Sequence, residues 1–253
     1  MDLRNPIPRS SKLPVSITVI VPVYRDAAAL ARTLAATDFS GSNIVVVSTA
    51  DEDLRATLRL APADNDIVCV TAPRGRASQM NAGATVARGR WLLFLHADTR
   101  LPPGWTDEIA AADRDPHVSA GCFRFALDSH ALFARLIELG VRARVALFGL
   151  PYGDQALFVR REVFEALQGY ADLPIMEDVD LVRRLRRHGR LFRSALPAVT
   201  SARRWERDGW VTRTARHVAL ILLYFLGVPP ARLIRLDSGR RAHPVSPSGR
   251  MSL

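Results

Sequence analysis

The stretch WLLFLHADTRLPPGW, residues 91–105, joins an apolar run to a polar end. Its first seven residues are almost continuously apolar, which is typical of a strand buried on both faces of a sheet. His96 and Asp98 stand two residues apart at the end of this run, so their side chains would project to the same side. Pro102 and Pro103 then stop the strand. The stretch therefore predicts a buried strand that presents an imidazole and a carboxylate together at its carboxyl end.

Three similar apolar runs precede this strand, and helix-like segments separate them. The runs span residues 17–23, 43–49 and 66–72, and the helix-like segments span residues 27–36, 51–60 and 77–87. Strands that alternate with helices at this spacing predict right-handed βαβ units. We therefore expect an α/β fold with a Rossmann-like, mostly parallel central sheet and helices on both faces. Because ligands bind beyond the carboxyl ends of such strands, the first hundred residues predict a nucleotide-binding half.

The rest of the chain has a less regular pattern. The further predicted elements are a strand over 119–127, a helix that Asp128 or Ser129 caps and that runs to Leu147, a strand over 156–161, helices closed by Gly169 and Gly189, a strand over 191–201 and an apolar helix. Residues 1–14 are expected to form a flexible lead and residues 238–253 a disordered tail. The predicted organisation is one domain over 15–212 and a small helical extension over 213–237.

The composition favours an anionic ligand. The 253 residues carry 35 Lys and Arg against 25 Asp and Glu, a formal net charge of +10. This excess favours nucleotides, phosphosugars or acidic lipid headgroups as partners. It favours nucleic acid less, because the aromatic residues are not interleaved with the arginines as a stacking platform requires.

Two features of the sequence predict a cytoplasmic protein. Cys69 and Cys122 lie within apolar runs, which predicts buried, reduced thiols, and the first residues lack the apolar core of a signal peptide. The longest apolar stretch, Val218 to Val228, is shorter than the roughly 20 residues that span a bilayer. We expect this stretch to be a core or dimer-interface helix. The alternative is contact with the inner face of a membrane, since arginines flank it.

Asp98 and His96 form the first candidate site. Asp98 offers a hard oxygen ligand to a divalent cation that bridges phosphates, and His96 would add a nitrogen that Mn²⁺ tolerates better than Mg²⁺. Alternatively, His96 caps the strand end and Asp98 forms an Asx turn into the prolines.

Arg74 and Arg76 flank Gly75 just before a predicted helix, in APRGRASQMNAGA, residues 72–84. Two guanidiniums and free backbone N–H groups would converge there on a pyrophosphate. A basic helix start with a small-residue packing face explains the same pattern.

Three later segments carry further candidates. Glu177 and Asp178 begin a helix within PIMEDVDLVRRLRRHGR, where an ionised carboxylate could act as a base, although acids there also simply complement the helix dipole. In TSARRWERDGW, arginine beside Trp205 offers a clamp for phosphate and sugar, or else a basic strand end with a buried tryptophan. The loop GLPYGDQ, residues 149–155, covers a substrate or only connects two elements.

Taken in order, these segments resemble family 2 glycosyltransferases of the GT-A fold, from about Ile17 to about Trp210. The resemblance rests on ITVIVPVYRD as the first strand and nucleotide loop, HAD at the place of the DxD motif, the acidic pair of MEDVDL, and ARRW at the place of the (Q/R)xxRW motif. RGRASQMNAGA, LLFLHADT and PYGDQ together resemble a bacterial subfamily of transferases associated with arsenosugar biosynthesis or with radical-SAM and selenodomain genes.

The resemblance implies an inverting enzyme that moves one sugar from a nucleotide-diphosphate sugar to a hydroxyl of a small-molecule or lipid-linked acceptor. It implies Mn²⁺ or Mg²⁺ at Asp98 and His96, and Asp178 as the base with Glu177 beside it. Residues 15–104 would bind the donor and residues 105–212 the acceptor. The other implied residues are Pro22, Tyr24, Asp51, Arg74, Arg76, Gln79 and Asn81 for the donor, and Asp154, Gln155, Arg203, Arg204 and Trp205 for the phosphates and acceptor.

The sequence departs from the family pattern in three places. His96 replaces the first acid of DxD, which leaves the metal preference open. The second strand is followed by VVSTADED instead of an immediate acid, which weakens the assignment of Asp51 to the nucleoside. Ser201 stands where processive members carry glutamine, which favours a single-transfer enzyme over a polysaccharide synthase.

Two other functions fit parts of the pattern. A nucleotidyltransferase uses a similar sheet, but VPVYRDAAAL after the first strand lacks the glycine-rich, lysine-bearing segment expected there. A non-catalytic basic protein that docks on a membrane surface would use the arginine excess and the apolar stretch near the carboxyl end.

Overall fold

The apolar runs form neighbouring strands of one eight-stranded sheet. The computed structural model describes residues 15–59 and 66–238. The strands are β1 (Ile17–Pro22), β2 (Asn43–Ser48), β3 (Asp66–Thr71), β4 (Trp91–Phe94), β5 (Thr99–Arg100), β6 (Val118–Leu127), β7 (Leu157–Arg160) and β8 (Arg190–Thr200). Their order across the sheet is β3-β2-β1-β4-β7-β6-β8-β5.

Ten helices are described around this sheet. They are α1 (Ala27–Ala36), α2 (Arg55–Leu58), α3 (Arg76–Val86), α4 (Trp105–Asp113), α5 (Leu132–Phe148), α6 (Arg161–Ala166), α7 (Glu177–His188), α8 (Arg203–Asp208), α9 (Trp210–Phe225) and α10 (Pro230–Ser238), with a short 3-10 turn at Gly153–Gln155.

Each face of the sheet packs against helices. On one face, Val19 of β1 and Leu30 of α1 belong to one buried cluster. On the other face, Ile20 of β1 lies in a second cluster with Met80 of α3 and Leu181 of α7. Since consecutive strand residues point to opposite faces, a strand covered on both sides must be apolar throughout. The predicted α/β fold with helices on both faces is confirmed.

The pairing of the strands is mixed and places two distant segments side by side. β1 pairs in parallel with β2 and β4, whereas β7 lies antiparallel between β4 and β6. β8 pairs in parallel with β6 and antiparallel with the short β5, where Thr99 lies opposite Thr200. Ser201 then donates its backbone N–H to the Asp98 carbonyl at 3.1 Å. The segment after β4 therefore lies beside the end of β8.

The prediction that the third strand is buried is wrong. β3 lies at one end of the strand order, and each of its residues is exposed or only half-buried. The prediction of a buried Cys69 is wrong for the same reason, since its thiol is exposed, whereas Cys122 on β6 is buried as predicted. An edge strand can carry the same apolar residues as a central one, because its burial depends on what packs against it.

Several predicted helix boundaries also differ. α2 has four residues, far fewer than the predicted 51–60, and residues 60–65 lie outside the described part. Neither Asp128 nor Ser129 is the N-cap of α5, whose N-cap is Ala131. The Asp128 carboxylate instead accepts the Ala202 backbone N–H at 2.6 Å.

The region after β8 is helical where an irregular run and a single helix were predicted. The motif ARRW was predicted as a strand end, but Ala202 is the N-cap of α8 and the next three residues belong to that helix. The single helix predicted over 213–237 consists of two helices, α9 and α10. Gly227, in the left-handed region at φ +87°, lies between these two helices. Within the described residues, no helix has the length and apolar character needed to cross a membrane. The predicted lead over 1–14 and almost all of the predicted tail lie outside the described residues.

Candidate active site

Asp98 and Asp178, which are far apart in the sequence, line one cavity of about 300 Å³. His96 and Asp154 line the same cavity, as do Arg204 and Trp205 of α8. The structure therefore brings together the segment after β4, the start of α7, the 3-10 turn and α8. These are four of the segments in which the sequence predicted functional residues.

Asp98 is held between two arginines. Its Oδ2 lies 3.3 Å from an Nη of Arg203 and 3.9 Å from an Nη of Arg204, and only 11% of its side chain is exposed. Arg203 also forms a bidentate ion pair with Asp26, at the start of α1. Asp26 was not predicted as a site residue, although it ends the quoted motif ITVIVPVYRD. The arrangement ties the first loop of the sheet to α8.

His96 packs against the backbone of the 3-10 turn. A Cβ atom placed on Gly153 would lie 3.0 Å from His96 Nε2 and 3.4 Å from Asp178 Oδ2. Glycine at this position therefore lets the imidazole and the carboxylate approach the same backbone. Burial, assisted by the positive charge of Arg76, lowers the pKa of His96 to about 4. The imidazole is accordingly neutral at pH 7.

Asp178 is fixed by two backbone hydrogen bonds at the start of α7. Its Oδ2 accepts the Gly153 N–H and its Oδ1 accepts the Val179 N–H, each at 2.8 Å. The partial positive charge of a helix N-terminus stabilises a carboxylate there. Met176, two residues before Asp178, adopts a left-handed φ of +67°, which is a costly conformation for a side chain of this size. The carboxylate thus has one defined orientation in the cavity.

Asp154 is a second carboxyl group in the same cavity. Burial is the main cause that raises its pKa to about 6, and the charge of Asp178 adds to the rise, whereas Arg144 and Arg76 oppose it. Within the described part of the chain, its Oδ1 is buried and accepts no hydrogen bond. Asp154 therefore changes charge near neutral pH, which suits a group that exchanges protons.

Glu177 anchors an arginine. It is buried, and its Oε1 lies 2.7 Å from Nε of Arg76. The carboxylate raises the pKa of Arg76, and burial raises the pKa of Glu177 against the opposing charge of the arginine. Arg76 lines the cavity, but its guanidinium, which was predicted to bind pyrophosphate, forms an ion pair with Glu177.

Three other predicted site residues make scaffold contacts. Gln79 donates its side-chain N–H groups to the carbonyls of Val23 at 2.7 Å and Val47 at 2.9 Å. Asn81 exchanges two hydrogen bonds with the backbone of Tyr170, at 2.8 and 2.9 Å. Gln155 donates to the Phe123 carbonyl at 3.0 Å and accepts from the Tyr152 N–H at 3.3 Å. None of the three is among the described residues that line the cavity.

The predicted nucleoside loops lie together at the ends of β1 and β2. The guanidinium of Arg74 lies 4.6 Å from the ring centroid of Tyr24. The Asp51 carboxylate is fully exposed, and a hydrogen bond from Thr49 is the main cause that lowers its pKa. Glu52, which was not predicted, accepts the Arg25 backbone N–H at 2.9 Å. Pro22 ends β1, paired with Val47.

Trp205 is buried and forms one wall of the cavity. Its ring centroid lies 6.3 Å from that of Phe125, and the Arg213 guanidinium lies 5.0 Å from the indole. The alternative prediction of a buried tryptophan is confirmed, but the prediction that it lies at a strand end is wrong, because Trp205 belongs to α8. Arg204 is half exposed and its guanidinium lies near Asp98, so it remains accessible to an anion.

The described residues offer no group of three or more histidine, cysteine or acidic side chains that could hold a metal by themselves. His96 and Asp98 are thus an incomplete ligand set, of one neutral imidazole and one carboxylate. Such a set fits a cation that takes its other ligands from phosphate and water.

Solved structures of two other proteins share the fold. The mannosyltransferase PcManGT from Pyrobaculum calidifontis, in complex with GDP-Man and Mn²⁺, is 23% identical with a TM-score of 0.60, over 80% of this chain and 61% of that chain. S. aureus TarS 1-349 is 15% identical with a TM-score of 0.56, over 82% and 65%. Its complex with UDP-GlcNAc is 16% identical with a TM-score of 0.56, over 74% and 58%. The chain therefore spans less than two thirds of the length of these structures, and the likeness shows the fold.

A sequence comparison identifies the family. No match was found among curated proteins. Residues 18–164 match the family described as Glycosyl transferase family 2. Because this span exceeds half of the chain, the protein belongs to glycosyl transferase family 2.

Proposed function

We propose that this glycosyltransferase moves one sugar from a nucleotide-diphosphate sugar to an acceptor hydroxyl, with inversion at the anomeric carbon. The observation that carries the proposal is the shared cavity of Asp98 and Asp178. One carboxylate lies between arginines, beside the place of the diphosphate, and the other is held at a helix N-terminus, beside the place of the acceptor. A single displacement needs one group for the leaving diphosphate and one for the incoming hydroxyl.

Asp178 acts as the general base. The acceptor oxygen forms a bond to the anomeric carbon while the bond from that carbon to the diphosphate oxygen breaks. The acceptor proton passes to the Asp178 carboxylate, which the Gly153 and Val179 N–H groups hold in place. General-base catalysis contributes about 10²–10⁴-fold in rate. The nucleoside diphosphate leaves with the bonding electrons.

The donor lies along the ends of β1, β2 and β4. Tyr24 and Arg74 offer an aromatic and cationic surface to the nucleoside, with Pro22 and Asp51 in the same loops. Arg203 and Arg204 stabilise negative charge that grows on the diphosphate. The structural neighbours support this class of donor, since they are described with GDP-Man and UDP-GlcNAc.

Asp98 and His96 would hold a divalent cation, Mn²⁺ or Mg²⁺, together with the diphosphate. The low pKa of His96 keeps its imidazole neutral at pH 7, so that one of its two ring nitrogens carries no proton, as a ligand requires. When bound, the cation supplies charge stabilisation to the leaving group. The neighbour from Pyrobaculum calidifontis is described with Mn²⁺, which supports the assignment.

Calorimetry with GDP and UDP, with and without Mn²⁺, tests the donor site. We expect Mn²⁺-dependent binding to the wild type, lost in Asp98→Asn and retained in the control Asp107→Asn, which alters an exposed acid of α4. Equal, metal-independent binding by the wild type and Asp98→Asn would overturn the ligand assignment.

Product analysis tests the base and the reaction. Asp178→Asn should bind nucleotide normally but lose at least 10²-fold in turnover of the preferred nucleotide sugar. The matched control is Asp180→Asn on the same helix, whose carboxylate pairs with Arg184. Near-normal turnover by Asp178→Asn contradicts the base assignment, and release of pyrophosphate in place of nucleoside diphosphate indicates a nucleotidyltransferase.

The resemblance to the arsenosugar-associated subfamily stays a prediction, as does a cytoplasmic location.

A further inference from the structure

A second cavity, of about 600 Å³, lies beside the candidate active site. Phe133 and Leu136 of α5 form one wall, and Val218 and Leu222 of α9 form the other. Each of these four side chains is about half exposed. We call this cavity the α5–α9 groove. A large apolar concave surface of this volume is typical of a site for a small apolar ligand, whereas surface apolar residues are usually scattered singly.

The groove adjoins the candidate active site. Tyr152, Asp154, Trp205, His217 and Ile221 line both cavities. A molecule that lies in the groove therefore has one end next to the cavity of Asp178.

Three buried polar atoms belong to residues of the groove wall. Asp154 Oδ1, Trp205 Nε1 and Thr214 Oγ1 are buried and make no hydrogen bond to any described residue. All three residues line the groove. Asp154 and Trp205 also line the cavity of Asp178, whereas Thr214 lines the groove alone, so the wall that the two cavities share carries two polar side chains.

Gly140 contributes no side chain to the α5 wall of the groove. It lies in the middle of α5 and lines the groove, and a Cβ atom added to it would meet nothing within 4 Å. Glycine in a helix interior is unfavourable relative to alanine, and no close contact requires it here. Its absence of a side chain leaves room for a chain that passes over the helix.

We infer that the acceptor is a lipid, with a hydrocarbon chain in the α5–α9 groove and a headgroup whose hydroxyl reaches Asp178. This inference rests on the proposed function, because it names the acceptor of that reaction. A single chain fits the observations better than a protein partner, since the surface is concave, has apolar walls and shares lining residues with the catalytic cavity.

Tryptophan fluorescence provides a direct test with a defined probe, a dodecyl glucoside brominated mid-chain and kept below its micelle concentration. A non-ionic probe avoids adsorption to a chain of net charge +10. Bromine quenches on contact, and Trp205 and Trp210 line the groove, whereas Trp91 and Trp105 are buried in the core. We expect partial, saturable quenching, with a Kd that tightens about fourfold for each methylene added to a shorter chain.

Gly140→Phe should weaken this binding at least tenfold, because the ring fills the groove. Leu139→Phe, at an exposed neighbour outside the groove lining, is the matched control and should bind like the wild type. Ala215→Phe narrows the opposite wall and covers the case in which the first variant folds poorly. Nucleotide binding should remain unchanged in all three.

Quenching that never saturates, or that Gly140→Phe and Ala215→Phe leave intact, overturns the inference. A dimer in sedimentation that either variant disrupts, without any probe binding by the wild type, would show instead that a second copy covers the groove. Failure of the proposed function has a different result, in which the wild type binds the probe but neither GDP nor UDP.

Discussion

The backbone N–H of Gly153 donates a hydrogen bond to Oδ2 of Asp178 at 2.8 Å, and His96 packs against the same glycine. A residue of the 3-10 turn thus positions the carboxylate of one helix against the imidazole that follows β4. The candidate site depends on this contact, because it joins two side chains that local sequence cannot bring together.

Gly153→Ala should lower the transfer rate by about 10²-fold, because the added Cβ must displace His96 or Asp178 and small misplacements of reacting groups are costly. Steady-state kinetics with the preferred donor measures the effect. Gly140→Ala is the control for folding alone, since its Cβ meets open space, and it should raise the free energy of unfolding by about 0.5–1 kcal/mol. Unchanged turnover in Gly153→Ala would show that the contact is not critical.

Asp154→Asn should change the pH dependence of stability. Burial raises the pKa of Asp154 from 3.8 to about 6, so between these values the folded state binds the proton more tightly than the unfolded state does. This group therefore favours folding at low pH and loses that contribution as the pH rises through 6. Urea unfolding from pH 4 to 7 should show the variant gaining stability relative to the wild type. A constant difference across this range would contradict the shift.

Gln79→Leu should lower the free energy of unfolding by about 1–3 kcal/mol. The amide is buried and joins the ends of β1 and β2 through the carbonyls of Val23 and Val47, and leucine leaves a buried carbonyl without this partner. Urea denaturation measures the loss. Thr85→Ala, at an exposed position of the same helix, should be close to neutral. If nucleotide binding falls while stability is unchanged, Gln79 contacts the donor after all.

Thiol titration should distinguish the two cysteines. Cys69 is exposed on the edge strand β3, whereas burial raises the pKa of the Cys122 thiol to about 12. An aromatic disulfide reagent at pH 8 should therefore modify one thiol per native chain and the second only after denaturation. Modification of both thiols in the native protein would show that β6 is accessible.

Several features of the fold and of the candidate site could be predicted from the sequence, because they depend only on residues that are close together along the chain. The alternation of apolar runs and helix-like segments predicted the α/β fold, and the two-residue spacing of His96 and Asp98 placed them on one side of a strand end. The carboxylates of Glu177 and Asp178 were predicted at the start of α7 from the helical pattern that follows them. These inferences need only the periods of strands and helices.

Other features depend on contacts that no local pattern encodes. Gln79, Asn81 and Gln155 looked like ligand-binding residues, yet they bond to the backbone of other segments. Asp26 was missed because its partner, Arg203, lies near the other end of the chain. Amide and carboxylate groups serve scaffold and site equally well, so only their neighbours distinguish the two uses.

The sequence by itself determined most of the strands and helices and which polar residues stand at their ends, because those properties follow from hydrophobic periodicity over a few residues. Tertiary structure alone decided that β3 is exposed, that Asp98 and Asp178 share a cavity, and that the α5–α9 groove adjoins it. Burial and convergence are properties of the packed chain, since they depend on which distant segments come to lie side by side.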